Sequence, residues 1–242
     1  LDDAGKADFV PYFRNQARGA GLDECIVVRT EIIEQVGGGS ARGAWPEDRV
    51  AVVFDALFRE LVTRFHVDLD RVWVAGVSQT GFWSWYLGRH RADRLAGIAP
   101  MGAVTWQVDE YLPNFTNLPA YVLHGDADEK CPVEQPRATT AALAEMGCPV
   151  RYEEVPGGAH DFSTWGGLQR GLRWLAERPR DPYPRRIACR LAGEGAAWWY
   201  WVRVDGLAKE GAGDAAAAPT AELEASVEGQ RVTPHTRGVH GT

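Results

Sequence analysis

The sequence has few of the features that mark membrane, nucleic-acid-binding or metal-binding proteins. No apolar run approaches the roughly 20 residues that a membrane-spanning helix needs, so the sequence predicts no membrane span. The formal net charge is −7 and there is no dense basic run, which argues against nucleic acid as a partner. Only four cysteines are present, and their spacing is not typical of a zinc site or a redox pair. The sequence therefore predicts no metal site.

The cysteines also give little support for a disulfide framework. Cys131 and Cys148 bracket a predicted helix from Val133 to Met146. Such a helix is about 20 Å long at 1.5 Å per residue, so a disulfide cannot join its two ends. Cys25 falls in a predicted buried strand, Glu24 to Thr30. We interpret the cysteines as free structural thiols, which leaves the cellular compartment open.

Residues 76–81 form the most informative motif and read Gly-Val-Ser-Gln-Thr-Gly. They follow an apolar run that ends at Ala75 and precede a helix-competent segment, Phe82 to His90. This is the layout of a nucleophile elbow, which exposes a serine hydroxyl above the carboxyl edge of a parallel sheet. The usual elbow reads Gly-x-Ser-x-Gly, and Thr80 takes the second glycine position here. The alternative is an ordinary strand-to-helix turn in which Ser78 caps the helix.

A candidate acid follows a later strand. Leu118 to Leu123 is predicted to be a buried strand, and it leads into His-Gly-Asp-Ala-Asp-Glu at residues 124–129. We favour Asp128 by its motif position and predict that His124 is a structural, hydrogen-bonded histidine. The competing carboxylates are Asp126, Glu129 and Glu134. A solvated loop charge is the alternative interpretation of Asp126 and Glu129.

A candidate base follows the next strand. Pro149 to Val155 is predicted to be a strand, and the glycine-rich loop after it carries His160 before a helix from Gly166 to Glu177. Ser78, Asp128 and His160 thus occur in this order, each just after a strand. Because the strands alternate with helices, the sequence predicts a mainly parallel sheet with right-handed crossovers. The coincidence of three such positions is more specific than any one motif.

These residue types suit nucleophilic catalysis. A serine hydroxyl is a weak nucleophile at neutral pH, so a neighbouring base such as His160 must take its proton. A carboxylate behind the histidine fixes its tautomer and stabilises the imidazolium that forms, which is the role expected of Asp128. The oxyanion of a tetrahedral intermediate needs N–H donors, one of them on the residue after the nucleophile, here Gln79.

The chain resembles the α/β-hydrolase superfamily. It is most similar to bacterial esterases and peptidases that are related to polyhydroxybutyrate depolymerases, feruloyl esterases and the prolyl-oligopeptidase catalytic domain. The matching segments are residues 67–72, 76–81, 124–128 and 157–160, within a resemblance that runs from about Asp8 to Glu177. The resemblance implies that Ser78 is the nucleophile, Asp128 the acid and His160 the base. It implies no metal and no organic cofactor.

The resemblance also implies that the first strands of the fold are missing. Proteins of this kind have an upstream strand ending in a His-Gly loop that supplies the second oxyanion donor, and no such strand precedes residues 8–13. We therefore interpret the sequence as a fragment whose second oxyanion donor lies upstream of Leu1. A signal peptide would have been lost with that segment, so a secreted or periplasmic location stays open.

Two tryptophans are candidate substrate-binding residues. The segment from Gly102 to Asn117 is predicted to be a loop over the active face, and it contains Trp106. Loops at the carboxyl ends of strands build ligand pockets in such sheets. Trp106 and Trp165 are therefore predicted to line an aromatic substrate pocket, with ordinary packing under loops as the alternative.

The character of the sequence changes after about Arg178. We predict a hydrolase domain over residues 1–178, and a proline-rich linker with a small β appendage over 179–242. Within the appendage, Arg186 to Leu191 and Ala197 to Val204 are predicted to pair as a hairpin. Further short strands are expected at Glu222 to Val227 and Gln230 to Pro234.

An aromatic run, Trp198 to Trp201, lies in the predicted appendage. It has the composition of a sugar-stacking platform, but alternate residues of a strand face opposite sides. At most two of the four rings therefore share a face. We favour packing onto the hydrolase domain as the use of these rings.

Together, the motifs predict a serine hydrolase that cleaves a small or polymeric carboxylic ester through an acyl-enzyme. A prolyl-oligopeptidase-like serine peptidase is the first alternative. The second is a non-catalytic, glycan-binding module that keeps the hydrolase fold. The sequence leaves the acyl and alcohol groups and the oligomeric state open.

Overall fold

A four-stranded parallel sheet with helices on both faces forms the centre of the protein. The computed structural model describes residues 10–29, 47–161, 165–192, 197–205 and 220–237. The sheet has the order β1-β2-β3-β4, with β1 at Trp73–Val77, β2 at Gly97–Met101, β3 at Ala120–Gly125 and β4 at Val150–Val155. The α-helices of the described residues are α1 Val10–Gly19, α2 Glu47–Arg64, α3 Gln79–Arg91, α4 Glu134–Glu145 and α5 Leu168–Ala176. The predicted α/β class is confirmed.

The sheet is buried on both faces because its central strands are almost entirely apolar. Every residue of β2 and β3 is buried, as expected for a parallel sheet covered on both sides. Side chains alternate along β3, so that Val122 belongs to one core cluster and Leu123 to another. The first cluster includes Trp85 of α3, and the second includes Leu175 of α5. Within the described residues, none of the helices combines the length and apolarity that crossing a membrane requires.

The register of the sheet brings the important loops to one edge. Val77 pairs with Met101, Met101 with Leu123, and Gly125 with Val155. Because the strands are parallel, their carboxyl ends meet along one edge of the sheet. The segments that follow β1, β3 and β4 are therefore neighbours, although about 80 residues of chain separate the first from the last.

Two predicted segments differ from the structure. The expected loop from Gly102 to Asn117 contains a 3₁₀-helix at Asp109–Phe115. The strand expected over Glu24 to Thr30 is not formed in residues 24–29, and Ile26 and Val28 are 52% and 42% exposed. A strand needs a hydrogen-bonded neighbour, and no strand in the described part of the chain pairs with this segment. Thr30 and the residues around Leu1 lie outside the described ranges.

The C-terminal part forms the predicted small β appendage, but the hairpin is wrong. The strands are β5 Arg186–Ala192, β6 Ala197–Trp199, β7 Val202–Val204, β8 Thr220–Glu228 and β9 Arg231–Arg237. β5 pairs with β8 rather than with β6, and β8 pairs with β9, all antiparallel. β6 pairs instead with β7, in a hairpin whose turn holds Tyr200 at a φ of 53°. A tight turn inside the predicted second strand thus divided it in two.

The appendage packs against the first core cluster. Ile187 and Leu223 are buried there. Asn114, in the 3₁₀-helix, donates to the Arg190 carbonyl and accepts from the Arg190 N–H, at 3.0 and 2.6 Å. Trp199 is 2% exposed within the same cluster, whereas Trp198 is 62% exposed. The domain boundary at residue 178 stays a prediction.

Candidate active site

Ser78 occupies a strained corner between β1 and α3. Its φ is 52° and its ψ is −120°, a conformation that costs a non-glycine residue about 1–3 kcal/mol. The Ser78 N–H donates to the Met101 carbonyl at 2.9 Å, which holds the corner against β2. A Cβ on Gly76 would collide with the Thr80 carbonyl, so the corner requires a glycine there. The local geometry is that of a nucleophile elbow.

Thr80 stabilises this corner through its hydroxyl group. The hydroxyl donates to the Val77 carbonyl and accepts from the Val77 N–H, both at 2.8 Å. The side chain therefore folds back onto the end of β1. The close approach that the second glycine of the motif usually allows occurs one position later, at Gly81. A Cβ added there would lie 2.8 Å from the Cβ of Ala103. The departure from the usual motif thus has a structural reason that the motif alone does not reveal.

Asp128 is held by the turn that follows it. It is 5% exposed, and its Oδ1 accepts hydrogen bonds from the N–H groups of Lys130 and Cys131 at 3.0 and 2.9 Å. Burial alone would raise the pKa of Asp128. The hydrogen bonds from Cys131, His160 and Lys130 outweigh burial and lower the pKa below its ordinary value. The carboxylate is therefore ionised at neutral pH.

His160 lies between Asp128 and Ser78. Its Nδ1 is 2.7 Å from Asp128 Oδ2, and its Nε2 is 3.0 Å from Ser78 Oγ. Because an ionised carboxylate only accepts, Nδ1 carries the proton. Nε2 of the neutral ring then has a free electron pair directed at the serine hydroxyl. The structure brings the three predicted residues together, and their catalytic roles stay a prediction.

The other carboxylates near β3 lie elsewhere. Asp126 is exposed and accepts a hydrogen bond from the Gly157 N–H at 2.6 Å. It thereby links the loop after β3 to the loop that carries His160. Glu129 and Glu134 are exposed. Asp126 is thus a loop charge with a bridging role, which its position in the sequence did not reveal.

The first residue of α3 provides a donor for developing negative charge. Gln79 follows Ser78 directly and begins the helix. The first N–H groups of a helix have no acceptor within the helix, and the helix dipole favours negative charge at this end. The Gln79 N–H is therefore chemically suited to the predicted oxyanion role. The second oxyanion donor, expected from the sequence upstream of Leu1, stays a prediction.

An apolar groove of about 460 Å³ opens beside Ser78. Its lining consists of Ser78, Gln79, Phe82, Val104, Trp106 and Cys131. The rings of Phe82 and Trp106 stack with centroids 6.3 Å apart, and Trp106 is 57% exposed. Phe82 was missed by sequence reasoning, although its position one helical turn after Ser78 places it near the same end of α3.

Trp165 does not belong to this lining. It is 4% exposed, and its Nε1 donates to the Ala159 carbonyl at 3.0 Å. The predicted role in substrate contact is therefore corrected to support of the loop that carries His160. Burial of the large apolar ring of Trp165 in the core stabilises the loop in its position.

One group of side chains among the described residues has the composition of a metal site. Ligand atoms of Asp128, Cys131 and His160 all lie within 4.8 Å of one another. Asp128 and His160 are already hydrogen-bonded to each other. Burial and the charge of Asp128 raise the pKa of the Cys131 thiol, which favours its protonated, poorly ligating form. The arrangement is thus better suited to proton transfer than to holding an ion.

Comparisons with known proteins identify partial relatives. No protein-family model matches the chain. It is 27% identical over 162 residues to an uncharacterized secreted protein of Arthroderma benhamiae, covering 52% of this chain and 17% of that protein. It is 26% identical over 142 residues to the uncharacterized peptidase YuxL of Bacillus subtilis, covering 46% and 22%. The chain thus spans less than a quarter of the length of these two curated relatives.

Solved structures similar to this chain include several esterases. A thermostable esterase has 25% identity and a TM-score of 0.48, with 56% of this chain and 38% of that chain covered. Esterase PE8 has 20% identity and a TM-score of 0.45, with coverage of 55% and 61%. Independently of these similarities, the chain itself has the parallel sheet, the serine corner with positive φ, and the chain order serine, aspartate, histidine. These features are those of an α/β-hydrolase fold.

Proposed function

We propose that this chain is a serine hydrolase that cleaves carboxylic esters. The observation that carries the proposal is the continuous hydrogen-bonded series from Asp128 through His160 to Ser78, with distances of 2.7 and 3.0 Å. The series begins at a buried, ionised carboxylate and ends at a serine in a strained corner. Neither feature is needed for packing, and both are needed for nucleophilic catalysis.

The reaction would proceed in two halves. Ser78 Oγ attacks the ester carbonyl while His160 Nε2 takes the hydroxyl proton, and Asp128 stabilises the imidazolium that results. The Gln79 N–H donates to the oxyanion of the tetrahedral intermediate. The intermediate collapses, the alcohol leaves with the proton from His160, and Ser78 stays acylated. Water then attacks the acyl-enzyme by the same sequence of proton transfers and releases the acid.

The groove favours an apolar ester over a peptide. A peptide carries an N–H and a carbonyl group on almost every residue, and these groups need hydrogen-bonding partners when they are bound. The side chains of Phe82 and Val104 offer no such partners, and that of Trp106 offers only its indole N–H. An acyl or alcohol group rich in carbon would instead gain from leaving water against these surfaces. Polymeric esters with an apolar repeat unit fall within the same proposal.

A serine peptidase of the prolyl-oligopeptidase type is the second candidate. It is favoured by the sequence similarity to YuxL, an uncharacterized peptidase. The two candidates differ in substrate and not in the proposed roles of Ser78, Asp128 and His160. Hydrolysis rates of an aryl ester and of a matched peptide anilide with the same acyl group would separate them. Faster cleavage of the anilide would replace the ester proposal.

A fluorophosphonate probe tests the proposal most directly. We expect stoichiometric labelling of the wild type and none of Ser78→Ala, since only an activated serine reacts at a useful rate. Circular dichroism of both proteins controls for folding. A folded wild type that is not labelled would overturn the proposal. Retention on insoluble glycan would then support the non-catalytic binding module.

A further inference from the structure

His124 lies directly behind the candidate acid. It is the second-last residue of β3 and is completely buried. Its Nε2 is 2.7 Å from the Cys131 carbonyl oxygen and 3.8 Å from Asp128 Oδ2. Since a carbonyl oxygen only accepts, Nε2 must carry the proton and donate to Cys131. The sequence predicted a structural histidine here but did not show what the ring binds.

The second ring nitrogen identifies the tautomer. His124 Nδ1 is buried and has no hydrogen-bond partner in the structure. A bare nitrogen lone pair is less costly to bury than an unpaired N–H of a charged ring. The surroundings therefore suit the neutral ring with its proton on Nε2. The ring of Trp165 also packs near that of His124, with centroids 6.3 Å apart.

Cys131 connects His124 to the carboxylate through its two backbone groups. Its N–H donates to Asp128 Oδ1 at 2.9 Å, while its carbonyl accepts from His124 Nε2 at 2.7 Å. His124 itself is paired in register with Glu154 of β4. The rigid sheet thereby fixes Cys131, Cys131 fixes Oδ1, and Oδ2 is left to face His160. Removing the His124 donor would free the turn that aims the carboxylate.

We propose that His124 is a positioning residue for Asp128, acting through the Cys131 carbonyl. The inference rests on the proposed hydrolase function. It gives His124 no contact with the substrate and no part in proton transfer. Its contribution is to keep Asp128 Oδ2 within hydrogen-bonding distance of His160 while the ring of His160 gains and loses charge. The expected defect of a variant is therefore in kcat and not in KM.

A matched pair of substitutions tests this. The amide nitrogen of His124→Gln is placed to replace Nε2, whereas His124→Asn carries the same amide on a side chain too short to reach Cys131. We expect His124→Gln to keep kcat within about threefold of the wild type. We expect His124→Asn to lose about 10- to 100-fold in kcat with little change in KM, as for loss of one buried hydrogen bond. Rates are divided by the fraction of sites that fluorophosphonate labels, which removes misfolded protein from the comparison.

The pH profile and a double variant separate positioning from general damage. A poorly aimed carboxylate stabilises the imidazolium less, so the acid limb of kcat/KM should move to lower pH in His124→Asn. In an Asp128→Asn background, His124→Asn should cause little further loss, because it acts through a group already removed. Equal losses of kcat in His124→Gln and His124→Asn, with an unmoved pH profile, would overturn the inference. An unchanged kcat in His124→Asn would also overturn it.

The wild-type protein offers an independent test should the variants not fold. Long-range ¹H–¹⁵N spectra of histidine-labelled protein distinguish the two neutral tautomers. The inference requires that His124 carry its proton on Nε2, and the opposite tautomer would overturn it. Failure of the proposed function looks different, since the wild type would then not react with fluorophosphonate at all.

Discussion

The carboxyl edge of the parallel sheet and the C-terminal β appendage are held together by different forces. At the edge, Asp128 accepts hydrogen bonds from backbone N–H groups of the turn that follows it, and the Ser78 N–H donates to the Met101 carbonyl. Ser78 also adopts a strained φ of 52°. In the appendage, Ile187 and Leu223 are buried among apolar side chains of the main core. The first region concentrates polar contacts and strain, whereas the second contributes burial. Activity and stability should therefore respond to different substitutions.

The largest effect should come from the carboxylate at the edge. We expect Asp128→Asn to lower kcat/KM about 10⁴-fold, because an amide stabilises the imidazolium poorly and can bind the wrong tautomer of His160. Its thermal midpoint should change far less than its activity. Asp126→Asn is the matched control, since Asp126 is the exposed carboxylate two residues earlier. If Asp126→Asn had the larger effect on ester hydrolysis, the assignment of the acid would be wrong.

In the appendage, we expect a substitution to reduce stability and leave activity nearly unchanged. Leu223 is 3% exposed, and Leu223→Ala should lower the free energy of unfolding by about 2–5 kcal/mol through lost burial and a cavity. The rate per fluorophosphonate-labelled site should stay within about twofold of the wild type. Val232 lies on the outer strand β9 and is 54% exposed. Val232→Ala therefore controls for the lower β-strand propensity of alanine without removing a buried side chain. Urea denaturation measures the free energy of unfolding, and fluorophosphonate labelling combined with an activity assay gives the rate per active site. A loss of kcat without a loss of stability in Leu223→Ala would contradict the expectation.

The partly buried carboxyl of Asp93, near Cys189 and Tyr200 of the appendage, makes stability depend on pH. Burial raises the pKa of Asp93 to about 6 from its ordinary 3.8, although Arg94, Arg91 and Arg180 act in the opposite direction. The folded protein thus keeps a proton that the unfolded chain releases. The stability contribution of this group is therefore lost as pH rises between these two values.

Asp93→Asn should remove this part of the pH dependence. At pH 7 the variant should be more stable than the wild type by roughly 2–3 kcal/mol, and near pH 4 the two should converge. Thermal midpoints across that range provide the measurement. Asp68→Asn serves as the control, because the Asp68 side chain is 59% exposed. A wild type that becomes more stable relative to Asp93→Asn as pH rises would contradict the expected sign.

The smallest effect should come from the hydroxyl that braces the elbow. Thr80→Val keeps the shape of the side chain but removes both hydrogen bonds to Val77. We expect a loss of about 1 kcal/mol in stability, because the residue is exposed and water can partly replace these contacts. The kcat should fall by less than about tenfold. Thr80→Ser, which keeps the hydroxyl, should resemble the wild type, and equal effects of the two substitutions would exclude the hydroxyl as the cause.

Local motifs were more predictable than strand pairing. The serine corner, the strand before it and the helix after it depend on neighbouring residues, and each was predicted near its observed position. The hairpin of the appendage was predicted between adjacent segments, yet β5 pairs with β8 across about 30 residues of chain. Such pairing depends on which edge the folded core leaves available, and periodicity in one segment carries no information about that.

In the candidate site too, features that depend on neighbouring residues were predictable, and contacts formed by folding were not. Motif position selected Asp128 among its neighbours, and the structure places its Oδ2 beside His160. The burial of Trp165 and the donor role of His124 were not predictable, since each depends on a contact with a different segment or turn. The hydroxyl of Thr80 is an intermediate case, because its partner is only three residues away.

The strand-helix alternation, the serine corner and the chain order of Ser78, Asp128 and His160 could be predicted from the residues alone. These follow from local backbone preferences and from the rule that parallel strands end at one edge. The folded structure was needed to find the 3.0 and 2.7 Å contacts of His160, the apolar groove beside Phe82 and the position of His124 behind Asp128. Most of these contacts join segments distant in the chain, and the close packing of the folded core sets their separations.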